Sequence, residues 1–365
     1  MTAAQRFSLS QPTARGRTRM LALLTAVALA LSAALGASTS RADVGSVYFD
    51  PFDNAAAGQT LFGSLTTGSL NVGLGRSVMP NLTTGSNNVA TGQAALRFNT
   101  TGASNVATGS RALRENTSGN QNVATGADAL SNNTTGRTNV AAGTLALSSN
   151  TTGTSNVATG FRALQANTTG DFNVATGDAA LSSNTMGGRN VATGEAALSG
   201  NTTGFENVAA GAAAMFANTT GRFNVASGTE ALRENTTGRN NTALGRQALN
   251  TNTTGSNNVA VGTGAGRSID TGVNNVAIAN PGQDGESGAI RIGTAGNQDA
   301  TFIAGIRGTA LSGQPVVVNA QGQLGTAPAA PASARSLATT LERLTAQLKR
   351  QQHQIERLRE QVKGG

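Results

Sequence analysis

Asn105–Gln121 reads N-V-A-T-G-S-R-A-L-R-E-N-T-S-G-N-Q, and Asn122–Thr138 reads N-V-A-T-G-A-D-A-L-S-N-N-T-T-G-R-T. These are consecutive units whose fixed residues coincide position by position. Working outward, the leading Asn recurs at 71, 88, 105, 122, 139, 156, 173, 190, 207, 224, 241, 258 and 275, always 17 apart, with no insertion or deletion. The thirteen units share the pattern N-V-A-T-G-x-x-A-L-x-x-N-T-T-G-x-x. A fixed period of this size marks stacked supersecondary units, not a compact domain. The unit is too short for a two-helix repeat, which needs about 34 residues, and its Gly, Asn and Thr content opposes helix.

The pattern predicts an all-β, single-stranded β-solenoid with one coil per 17-residue unit. Two short strands are expected in each coil, N-V-A-T and the stretch from A-L towards N-T-T, each followed by a Gly free to take the positive φ of a corner. Val at the second position (Val89, Val106 and onward to Val225) and Leu at the ninth (Leu96, Leu113 and onward to Leu249) are expected to stack as two apolar ladders that form the core, with Met79 and Met215 filling Leu positions. Asn at the twelfth position, from Asn99 to Asn252, is expected at a corner with its amide bonded to the next coil. The variable positions should face solvent. One Val and one Leu per coil bury little apolar surface against the cost of ordering the backbone, so association between copies is expected.

The flanks are organised differently. Arg6, Arg15, Arg17 and Arg19 precede an uncharged apolar run from Met20 to Gly36, and Ser40-Arg41-Ala42 supplies a small-x-small site. Residues 1–42 therefore read as a secretory signal peptide cut after Ala42, the alternative being an uncleaved membrane anchor. Residues 43–70, with Tyr48, Phe49 and Phe52, read as an N-terminal cap, and 71–287 as the solenoid. Residues 288–325 read as a β connector, on the strand-like runs Ala289–Ile292, Thr301–Ile306 and Val316–Val318. Residues 326–333 form a Pro/Ala linker and 334–365 a coiled coil. In the last segment Leu337, Leu341, Leu344, Leu348, Gln351, Ile355, Leu358 and Val362 follow alternating steps of four and three, a heptad seam with one polar layer at Gln351. The alternative is an amphipathic helix folded back on the solenoid. His353, the only histidine, lies off the seam and reads as a solvated surface residue.

Composition excludes several classes. The chain has no Cys, which removes disulfides and thiolate metal sites. Five Arg and no acid fall in residues 1–42, so the rest carries +3 of the total +8. A further +4 lies beyond residue 333, which leaves residues 43–333 at −1 and gives no footprint for a nucleic-acid partner. With one His and no Cys, neither a Ser-His-Asp triad nor a zinc site has material. No catalytic, cofactor-binding or metal-binding residue is assigned.

The units Asn258-Val259-Ala260-Val261-Gly262 and Asn275-Val276-Ala277-Ile278 resemble the YadA-like head repeats of trimeric autotransporter adhesins. The longer N-T-T-G-x-x-N-V-A-x-G-x-x-A-L unit resembles the repeats that precede the self-cleaving intramolecular chaperone of phage tail fibres and endosialidases. Thr301–Gly308, Pro315–Val318 and Gly322–Gly325 look like the connector before that chaperone. The resemblance implies a left-handed β-roll assembled as a parallel homotrimer and used as an adhesive or spacer fibre. The chaperone domain and the membrane β-barrel anchor have no counterpart in these residues, so no catalytic residue and no integral membrane anchor is carried over. Position four is mostly Thr, as at Thr91 and Thr108, where the adhesin heads prefer Ile.

The expected function is that of an exported, extracellular or cell-surface structural or adhesive fibre, with a periplasmic location the alternative. A glycan or protein ligand is expected to bind through variable positions, with Phe161, Phe172, Phe205, Arg222 and Phe223 as candidate contacts. Two other classes are weighed. Thr ladders could serve an ice- or surface-binding solenoid, but adjacent Thr residues should point to opposite faces. Asp178 and Glu195, at the sixth position of adjacent coils and about 5 Å apart, have the carboxylate spacing of a polysaccharide-processing enzyme, yet two solvated surface acids explain them as well. The Asn-Thr-Thr triplets match an N-glycosylation acceptor, though corner geometry accounts for their recurrence.

Overall fold

The computed structural model describes residues 47–298, 300, 316–319, 322–326 and 332–363. They fall in two units divided between residues 299 and 300. The expected signal peptide, the Thr301–Ile306 run and linker residues 327–331 lie outside the described residues.

In the first unit, β1 (Val47–Phe49) pairs antiparallel with β2 (Ala55–Gln59). From β2 onward every strand is parallel to the next: β3 (Val72–Arg76), then β4 (Val89–Thr91) through β14 (Val259–Val261), β15 (Val276–Ile278) and β16 (Ile290–Ile292), in strict sequence order. The register is that of the period, with Val106 opposite Val123 and Ala107 opposite Ala124. The chain is therefore a β-solenoid with one strand per turn, rising about 4.8 Å per coil. The stack starts one unit earlier than the N-V-A-T motif indicates, because Asn54 and β2 already form a coil in register with β3. At the far end the coil between β15 and β16 is 14 residues long, Val276 facing Ile290, so the Ala289–Ile292 run read as connector is the last strand of the sheet.

Three expectations are corrected. The stretch from A-L to N-T-T is not a second strand but a succession of turns. Its seventh and ninth residues take left-handed backbone, as at Arg111 (φ 60) and Leu113 (φ 51), and so does the seventeenth, as at Gln121 (φ 58). Such residues cost about 1 kcal/mol each. They are held because their N–H groups bond neighbouring coils: Arg111 N to Gln93 O, Leu113 N to Ala129 O and Gln121 N to Ala103 O, at 2.8–3.0 Å.

Second, the valine ladder is not core. Val and Thr at positions two and four point outward, Val89 being 39% and Val208 40% exposed, while the intervening Ala, present in every unit but the one with Gly73, is sealed, as at Ala107 and Ala158, both 0%. The core is the alanines of positions three and eight with the expected leucines of position nine. The two small positions share a limited space: in the one coil where position eight carries the larger Val78, fully buried, position three is Gly73, and a Cβ there would lie 3.2 Å from Val78 Cγ1. Phe62, 7% exposed and edge-on to Tyr48, closes the N-terminal end.

Third, of the two glycines of the repeat pattern only the first has positive φ, 118–144° from Gly58 to Gly262. The second is required by close approach: a Cβ on Gly153 would collide with the Gly170 carbonyl and the Asn150 side chain.

Two files of buried asparagine run up the interior. At position twelve, as expected, each amide reaches its counterpart, Asn116 Nδ2 donating to Asn99 Oδ1 at 2.8 Å and to Gly119 O at 3.0 Å. At position one the backbone joins in: Asn122 N and Nδ2 both donate to Asn105 Oδ1 (3.0 and 3.1 Å), and Nδ2 also reaches Gly136 O. This second file is closed at both ends, by the Asp50 carboxylate accepting from Asn54 Nδ2 and by Ala289 N donating to Asn275 Oδ1. The position-twelve file ends at Ile269, which offers no donor, so Asn252 Oδ1 is buried without a partner.

In the second unit β17 (Val316–Val318) and β18 (Leu324–Thr326) form an antiparallel pair, and α1 spans Ala332–Lys363 as a single helix. Among the described residues no helix is long and apolar enough to cross a membrane.

Candidate interaction surface

Solvent-facing chemistry is set by which turn positions project outward. Positions sixteen and seventeen form one corner, just before the position-one Asn. There Phe205 and Arg222 stand one above the other at position sixteen, and Phe223 follows Arg222. The two rings meet edge to face at 5.2 Å, and the Arg222 guanidinium lies 5.3 Å from the Phe205 centroid and 5.8 Å from that of Phe223. Three of the five candidate contacts thus form one cluster. Phe172 is on the same corner three coils below, and Phe161, at position six, projects elsewhere with Arg162 4.7 Å over its ring. Sequence reading missed two further pairs, Arg97 over Phe98 (5.2 Å) and Arg233 over Phe216 (5.7 Å). Only the first is signalled locally, as an i,i+1 pair; the second needs the 17-residue offset to be applied.

Other candidate chemistry is accounted for by the scaffold. Asp178 and Glu195 are both exposed, on adjacent coils as expected. The first Thr of each Asn-Thr-Thr triplet is committed: Thr117 Oγ1 donates to Thr134 O at 3.1 Å, and the same carbonyl accepts from Thr117 N, Ser118 N and Gly119 N. The Asn amides of the triplets are buried, which rationalises the triplet as a corner. At the C-terminal end Asp270 takes the place of that Thr and lies against Asp284. Asp270 is held below the usual carboxylate range by the Thr271 N–H and by a hydrogen bond from Asp284, whereas Asp284 is pushed up by sharing that bond and by the Asp270 charge.

Comparison with known proteins returns no matching family model, no similar curated protein and no similar solved structure. The surface must be interpreted from its own geometry.

Two apolar faces stand uncovered. On α1 the seam residues Leu341, Leu344, Leu348, Ile355 and Leu358 are 51–68% exposed, with Gln351 among them; the side chains of Leu337 and Val362 fall outside the described set. His353 is exposed, 3.4 Å from Glu356. On the solenoid the Val/Thr face runs the length of the sheet. Its fourth-position file begins at Leu74, is mostly Thr from Thr91 to Thr193, and turns apolar at Leu244, Val261, Ile278 and Ile292.

Proposed function

We propose that the chain is a non-enzymatic, exported structural or adhesive fibre protein, a β-roll head of the YadA-like kind carried by a trimerising coiled coil. The observation that carries this reading is the pair of uncovered apolar faces, one on the helix and one along the sheet. A helix with a regular heptad seam gains its stability by burying that seam against copies of itself. The sheet face is free of charge from Val72 to Ile278 along its two outward files. Its rungs repeat with the coil period, so a second copy in parallel register meets it rung for rung. Packing is driest at the C-terminal rungs, where both files are apolar, and wetter in the Thr-rich middle. Variable corners project away from this face and serve as the adhesive surface.

Assembly is the measurable consequence. Sedimentation with light scattering on the full chain is expected to give a homotrimer, and deletion of residues 334–365 is expected to weaken or abolish it. A compact, stable monomer of the full chain would overturn the assembly reading.

A further inference from the structure

The outward file at position four changes chemistry along the solenoid while the strands beneath it stay the same. From Thr91 to Ser227 it carries only Thr, Ala or Ser, and then Leu244, Val261, Ile278 and Ile292 follow on four consecutive rungs. Strand register is identical on the two sides of this switch, so the coil itself gains nothing from the larger side chains. With Val259 and Ile290 of the position-two file they make one aliphatic patch, its members 37–73% exposed. No charge interrupts it, because Arg291 takes the inward position opposite Ala277 and is paired with Glu286 at 2.7 Å. The one other rung with large aliphatic groups in both files, Val72 and Leu74, stands alone. Contiguous exposed aliphatic surface of this kind marks a contact.

We propose that the solenoids of separate copies touch one another through these C-terminal rungs alone, in parallel register, and that the face from Thr91 to Ser227 stays in contact with water in the assembled fibre. A second copy is the occupant that matches. Its rungs repeat at the same spacing of about 4.8 Å, so aliphatic groups meet aliphatic groups on each rung, whereas a surface of another period falls out of step. A parallel seam on α1 keeps the copies together at high effective concentration. Towards the N-terminus the Thr hydroxyls lose water on closure and gain no fixed partner, a cost that opposes drawing the rest of the face together. This inference rests on the assembly reading, within which it assigns the contact to one end of the sheet.

The test is thiol alkylation of three full-length variants of this Cys-free chain, Ile278→Cys, Thr125→Cys and Glu195→Cys, with the oligomeric size of each measured alongside. All three positions are open in a single copy. In the assembled chain Ile278→Cys is expected to react at least about tenfold more slowly than Glu195→Cys, and Thr125→Cys to react within about threefold of it. Ile278→Lys should raise the concentration at which the assembly dissociates about tenfold, and Thr125→Lys should leave it unaltered. Unchanged circular dichroism of both lysine variants separates a lost contact from a lost fold. An assembled chain in which Ile278→Cys reacts as fast as Glu195→Cys, or in which Thr125→Cys is as protected as Ile278→Cys, overturns the proposal and leaves the assembly reading standing. A full chain that stays monomeric overturns both.

Discussion

Gly153→Ala is expected to lower stability by roughly 3 kcal/mol or more, while Gly188→Ala, also an ordinary-φ glycine, changes it little. At Gly153 the added methyl meets the Gly170 carbonyl, which accepts from Asn156 Nδ2 one coil below, and the Asn150 amide, which is bonded to Asn133 and Asn167 of the two adjacent coils. Relief requires the coils to part, which severs the bonds that Thr151, Thr152 and Gly153 make to the Thr168 carbonyl. At Gly188 the nearest atom is the Asp171 carbonyl at 3.1 Å, and the corner can yield by a few tenths of an ångström. Urea unfolding followed by far-UV circular dichroism compares the two. Equal midpoints would mean that the coils are not in the close contact described.

A second large effect is expected within the buried amide file. Asn150→Ala removes the bonds from Asn150 Nδ2 to Asn133 Oδ1 and Gly153 O and the bond from Asn167 Nδ2 to Asn150 Oδ1, and it leaves Asn133 Oδ1 buried without a donor. One orphaned buried acceptor plus the lost bonds comes to about 3 kcal/mol. Asn252→Ala should cost only about 1 kcal/mol, because the file already ends in an orphan there. Truncating Asn252 moves the orphan down one rung to Asn235 without adding to the number. Hydrogen exchange of the flanking amides, measured with the unfolding midpoints, should show local opening around Asn150 and little change around Asn252.

The stacking itself was legible from the leading Asn alone, since an unbroken spacing of 17 residues can only be kept if each coil repeats its neighbour. The amide file at position twelve was equally legible, because a short polar side chain fixed at a corner needs a partner on each side. The direction of the strand was not. Hydrophobicity ranks Val above Ala for burial, yet Ala107 is sealed inside the coil, as Leu113 is, while Val106 and Thr108 face outward. Nor could the left-handed Leu at position nine be read, because no residue there signals positive φ. The buried role of the leading Asn also follows only from the coil geometry, which brings its amide under the Gly carbonyl 14 residues ahead, as from Asn105 to Gly119. For the candidate surface, residue type singled out Phe205, Arg222 and Phe223, but the sequence does not declare that the two rings touch and that the cation packs against both; that comes from the one-rung offset between Phe205 and Arg222.

Direct adjacency of identical positions in successive coils can be measured by crosslinking, since the chain has no native Cys. Asp178→Cys combined with Glu195→Cys places two thiols one rung apart on exposed turns, within the Cα separation of about 4.4–6.8 Å that a disulfide spans. Asp178→Cys combined with Ala212→Cys places them two rungs apart, about 9.6 Å. Mild oxidation should close an intrachain bridge in the first pair and not in the second. Failure of the one-rung pair to close, or equal rates for both pairs, would contradict the stacked-coil architecture.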